Sequence, residues 1–106
     1  MNVLVKAPHM SVTAAIRQRV ESKVSKLPRF YDSVQTVEVV LDKEAGKFMV
    51  EIIVAAKRRN TFVATHRDDD MYACLDQCLD KISQQLRRHK DRVRDRQGLP
   101  RSQVVR

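Results

Sequence analysis

The chain has 106 residues, 42% of them hydrophobic, which allows one small domain with a modest core. Its formal net charge is +8, and its longest apolar run, Ile52 to Ala56, is far shorter than the roughly 20 residues a membrane span needs. With no charged-then-apolar leader and two cysteines four positions apart, the expectation is a soluble, cytoplasmic protein with no disulfide and no membrane partner.

Val3, Val5 and Ala7 alternate with polar or outward positions, which predicts a short strand stopped by Pro8. The period then changes. Ser11 or Thr13 can cap a helix whose Ile16, Val20, Val24 and Leu27 form one stripe, and Pro28 ends it. Arg17, Arg19, Lys23 and Lys26 lie on its other face. Val34 to Asp42 reads as a β-branched strand with Val37, Val39 and Leu41 inward, and Glu44-Ala-Gly46 supplies a turn. Lys47 to Ala56 follows, with Phe48, Val50, Ile52 and Val54 inward. Lys57-Arg58-Arg59-Asn60 makes a hairpin tip, read as an ordinary polar turn, and Thr61 to Thr65 returns with Phe62 and Ala64 inward. Asp69 or Asp70 caps a last helix whose stripe is Met71, Leu75, Cys78, Leu79, Ile82, Leu86 and Val93. It should run to about Asp95, roughly 40 Å at the usual rise per residue.

This order predicts an α+β, two-layer β-α-β-β-β-α fold: a four-stranded sheet with two helices on one face, its first two strands parallel and its last three a meander. The domain should span residues 1–96, with 97–106 a flexible tail.

The charge is concentrated at one end. Residues 81–106 hold nine bases against two acids, a net +7, whereas the first 80 residues carry +1. Bases near a helix C-terminus complement the helix dipole, but two or three in the last turn suffice for that. Here Lys81, Arg87, Arg88, Lys90, Arg92, Arg94 and Arg96 occupy more than four turns, and like charges four apart, such as Arg88 and Arg92, repel by about 0.2–0.5 kcal/mol each. Clustered bases at that cost point to a polyanion, which they bind by releasing counterions.

Aromatics are few, and Phe30, Tyr31, Phe48 and Phe62 among them read as core or core-edge residues, which argues against sequence-specific reading of single strands. Nothing points to an enzyme. His9, His66 and His89 are far apart, there is no Gly-rich phosphate loop, and Cys74, Cys78 and His66 lack zinc-site spacing, so neither metal nor cofactor is expected and the cysteines read as buried. Double-stranded RNA-binding domains share this kind of layering, but they place bases at the start of their last helix. Asp68-Asp69-Asp70 would repel phosphate there.

The stretch Asp70-Met-Tyr-Ala-Cys-Leu-Asp76, continuing through Leu79-Asp80-Lys81-Ile82 to Gln85-Leu86-Arg87-Arg88-His89-Lys90-Asp91-Arg92, resembles the ribosome hibernation-promoting factors. These are also called ribosome-associated inhibitors or sigma modulation proteins, and the likeness extends more weakly to Ile16-Arg17 and Lys23-Val-Ser-Lys26-Leu27. The resemblance implies a short-type factor, monomeric when free, that binds the 30S subunit and the 70S ribosome. It would occupy the messenger and transfer RNA channel and silence translation in idle or stressed cells. It also implies 16S rRNA contacts at Arg17, Lys23, Lys26, Lys81, Arg87, Arg88, Lys90, Arg92 and Arg94, with Tyr72 and Asp76 docking the start of the last helix. Cys74 and Cys78 depart from the small or aliphatic residues usual there, and the Asp68-Asp69 lead-in is unusually acidic. A general double-stranded RNA-binding module is the alternative.

Overall fold

The computed structural model describes residues 1–98, with side chains through Arg92. Strand β1 (Asn2–Lys6) leads to helix α1 (Ala14–Val24), then to strands β2 (Val34–Glu44), β3 (Lys47–Ala56) and β4 (Thr61–Asp68), and to helix α2 (Met71–Gly98). The sheet order is β1-β2-β3-β4, with β1 parallel to β2 and the rest antiparallel, as the element pattern predicts.

Local chemistry sets the boundaries. The Thr13 hydroxyl accepts the Ile16 N–H at 3.1 Å and starts α1, while Pro28 turns the chain after α1 into a short 3-10 segment, Leu27–Arg29. Asp70 caps α2, its carboxylate accepting the Tyr72 N–H at 3.1 Å. Three elements outrun the sequence expectation: β2 extends to Glu44, β4 to Asp68, and α2 passes Asp95 to reach Gly98, whereas α1 stops at Val24, short of Pro28. Most of the segment read as a tail, residues 99–106, lies outside the described residues.

The core lies between the inner sheet face and the helices. Val37, Val39, Leu41, Val50, Ile52 and Val54 are sealed beneath Val20, Val24, Leu27, Leu75, Ile82 and Leu86. Cys74 joins this set, although the predicted stripe did not include it; Val93, which it did include, has no described side chain. Among the described residues, no helix packs on the outer sheet face. Across it run Leu4, Glu38, Ile53 and Val63 in one register row and Lys6, Val40, Glu51 and Thr65 in the next. That face therefore mixes apolar groups with charges of both signs, Lys6 pairing with Glu38 at 3.3 Å, rather than concentrating one sign for a polyanion.

The two sheet edges are protected differently. β1 is only five residues long, too short to template another strand well, and Leu4 is 52% exposed on it. At the β4 edge, α2 supplies the cover: Lys81 Nζ donates to the Thr65 carbonyl and Gln85 Nε2 to the Val63 carbonyl, both at 2.9 Å.

Candidate nucleic-acid interface

The path of α2 decides where the charges go. β4 leaves the Lys57–Arg59 tip and ends at Asp68, and α2 returns along it in the opposite sense. Cys74 meets the His66 carbonyl, Cys78 the Ala64 carbonyl, Gln85 the Val63 carbonyl, and His89 the Phe62 ring. The first turn of α2 thus lies at the end of the sheet where the acids are, beside Glu44, Asp68, Asp69 and Asp70. Exposed pairs such as Lys47–Asp69 (3.8 Å) and Arg67–Glu44 (4.0 Å) offset part of that charge, each contributing no more than about 1 kcal/mol. The basic half of α2 lies at the opposite end.

Helix α1 runs in the same sense as α2. Its Arg19 guanidinium sits 5.4 Å from the Tyr72 ring centroid and donates to Asp76 Oδ2 at 3.1 Å, and Lys23 Nζ lies 3.7 Å from Asp76 Oδ1. Tyr72 and Asp76 therefore clip α1 to the start of α2. Further along, Arg87 stacks 4.5 Å over Phe30, and the His89 ring meets Tyr31 at 5.0 Å and Phe62 at 5.2 Å. This aromatic cluster fixes the basic half of α2 against the segment after α1. Lys26, Arg29, Arg87, Arg88, Lys90 and Arg92 consequently gather at one end.

The nine residues singled out from the sequence fall into three groups. Arg17, Lys26, Arg88 and Arg92 are exposed, Lys90 is half-buried, and Arg87 is exposed while leaning on Phe30; none of these makes an ion pair among the described residues. Lys23 and Lys81 are already engaged, one by Asp76 and the other by the β4 edge. Arg94 has no described side chain. Sequence periodicity placed eight of these bases on the right elements, but put Lys26 on the first helix, which ends at Val24, and carried no signal for the partners that occupy Lys23 and Lys81.

The cysteines are part of the frame. Both are free and buried, their thiols donating to carbonyls of the last two strands: Cys74 to His66 at 3.1 Å and Cys78 to Ala64 at 3.3 Å. Burial, reinforced by neighbouring Cys74, pushes the Cys78 thiol up from 9.0 to about 12, and burial also raises Cys74. Between pH 9 and about 12 the unfolded chain has lost the Cys78 proton while the native state keeps it, so stability must fall as pH rises. Its contribution is intact below pH 9. Denaturant unfolding across this window should show a decline of about 1.4 kcal/mol per pH unit at most from Cys78, and Cys78→Ala should flatten it.

The fold defines a class: a two-layer α+β domain in the order β-α-β-β-β-α, here with acids around the start of its last helix and bases gathered toward the other end. The chain belongs to the family described as Sigma 54 modulation protein / S30EA ribosomal protein, whose pattern it matches over residues 3–94. This is a non-enzymatic class. The chain is 34% identical over 97 residues to a ribosome hibernation promoting factor of Azotobacter vinelandii, covering 92% of this chain and 90% of that one. It is 32% identical over 96 residues to one of Klebsiella oxytoca, covering 89% and 98%. Among solved structures, the N-terminal domain of Thermus thermophilus Protein Y superposes with a TM-score of 0.75 at 30% identity, covering 84% of this chain and 99% of that domain. A ribosomal subunit interface protein from Coxiella burnetii shares the fold, with a TM-score of 0.80 at 22% identity over 86% of this chain and 99% of that one.

Proposed function

We propose that this protein is a ribosome hibernation factor that binds the 30S subunit, alone and within the 70S ribosome, and represses translation by occupying the messenger and transfer RNA channel. The observation that carries this reading is the set of bases Arg87, Arg88, Lys90 and Arg92 on the second half of α2, with Lys26 just past the end of α1 and Arg17 in the first turns of α1, in a chain whose relatives are hibernation factors. It acts by occlusion in the cytoplasm, through phosphates of 16S rRNA, and is a monomer when free. The acidic start of α2 argues against the alternative of a general duplex-binding module, which would present that end to phosphate.

Co-sedimentation of the purified protein with 30S and 70S particles at increasing KCl tests this. Six phosphate contacts, from Arg17, Lys26, Arg87, Arg88, Lys90 and Arg92, predict a log–log slope of affinity against salt of about −4 to −5. Inhibition of a reconstituted translation reaction should follow occupancy. A free RNA duplex that competes as well as the 30S subunit would favour the general module instead.

A further inference from the structure

The β3–β4 connection carries three consecutive bases, Lys57, Arg58 and Arg59, all exposed and none in an ion pair among the described residues. Asp32 is close in sequence to Ser33, which the tip contacts, yet it too makes no ion pair there. The backbone at this tip is unusual. The Asn60 N–H reaches the Lys57 carbonyl at 3.4 Å, and the two residues between, Arg58 and Arg59, have φ of 63° and 61°. A turn with positive φ at both central positions suits the twist of a hairpin, and Asn-Gly or Asp-Gly is its favoured content. The other hairpin of this sheet keeps a glycine at the second such position, with Ala45 at φ 52° and Gly46 at φ 80°. At the β3–β4 tip, two arginines take the left-handed conformation that glycine fills without strain.

The tip also lies at the basic end of the molecule. The Lys57 N–H donates to the Ser33 carbonyl at 3.1 Å, two residues from Tyr31, whose ring meets His89 of α2. Phe62, two residues beyond Asn60, meets His89 as well. Between them these contacts join the tip to the turn of α2 that carries Arg88, Lys90 and Arg92. A solvated turn has no use for three adjacent like charges, two of them at left-handed positions; a phosphate backbone passing the end of α2 does.

We propose that Lys57-Arg58-Arg59 is a third phosphate-contacting element, gripping the ribosomal RNA backbone beside the second half of α2. This rests on the function proposed above and adds a site to it. The test compares three full-length variants for binding to 30S particles from 50 to 300 mM KCl: the triple Lys57→Gln, Arg58→Gln, Arg59→Gln; the pair Arg58→Asn, Arg59→Gly, which supplies turn-compatible residues; and the α2 reversal Arg88→Glu, Lys90→Glu, Arg92→Glu. The triple should bind roughly a hundred- to five-hundredfold more weakly near 0.1 M salt, with a log–log slope shallower by about 2 to 3. The Asn-Gly pair should lose affinity in the same direction, with a slope shallower by about 1 to 2, while its melting temperature is unchanged or raised, separating lost contacts from lost fold. If the α2 reversal abolishes binding but both tip variants match wild type, the tip proposal falls and the function stands. Should all three bind like wild type, both fall together. Weaker binding of the tip variants with an unchanged slope would place the contact on a protein and overturn the phosphate assignment.

Discussion

Replacing Arg88, Lys90 and Arg92 with glutamate should lower affinity for the 30S subunit by at least two orders of magnitude near 0.1 M salt. Each phosphate contact releases close to one counterion, so at 0.1 M each contributes a factor of about five to eight, and three together about two to three decades before any repulsion is added. Reversal adds three repulsive charges at the same positions. The fold should survive it, for two reasons. Arg88 and Arg92 are exposed and Lys90 is half-buried, and the core stripe of α2 within the described side chains ends at Leu86. All three also precede the last turn of a helix that runs to Gly98, where glutamate would oppose the dipole most. Co-sedimentation across a salt series, with the melting temperature measured in parallel, checks the prediction. Wild-type affinity and slope in the variant would show that the charge block serves some other purpose.

How far the sequence showed this interface depends on the scale of the signal. Periodicity within one element was readable. The alternation of Val37, Val39 and Leu41 and the four-residue spacing of Ile16, Val20 and Val24 each report one buried face, and those residues are buried. Caps were readable too, because Thr13 and Asp70 act within three residues of their own position. Contacts between elements were not. Arg19 and Lys23 meet Asp76 across 57 and 53 positions, and nothing in the helical pattern of α1 indicates that two of its bases face an acid on α2. Lys81 looked like a free base on the charged side of its helix, but its four-carbon stem reaches back to an unpaired carbonyl of the edge strand. Cys74 was left off the stripe because its sulfur fills the gap where α2 crosses β3 and β4, a close approach that depends on the sheet. The position of the hairpin tip beside the basic half of α2 was not legible either, because it follows from the register of β4 and the return path of the helix.

Truncating Ile82 to alanine should destabilise the protein by about 2–5 kcal/mol, the largest stability effect expected of a single conservative change here. Ile82 is fully buried between Leu79 and Leu86 on the stripe that seats α2 on the sheet, so removing its methyl and methylene groups leaves a void. Neighbours held by a hydrogen-bonded sheet below and a helix above can close it only in part. For a domain of this size, with a total stability of about 5–15 kcal/mol, the change corresponds to a fall in melting temperature of roughly 10–30 °C. Leu4→Ala is the matched control. Leu4 is also a large aliphatic residue, but it is 52% exposed on the helix-free face, and its loss should move stability by less than about 1 kcal/mol. The same pair of variants separates folding from binding. Arg88 and Arg92 project away from the buried stripe, so the folded fraction of Ile82→Ala should bind the 30S subunit as wild type does, and apparent affinity should drop only by the fraction unfolded. Intrinsic affinity that fell in step with stability, measured at a temperature where the variant is fully folded, would mean that the seating of α2 on the sheet sets the geometry of the charges as well as holding the fold.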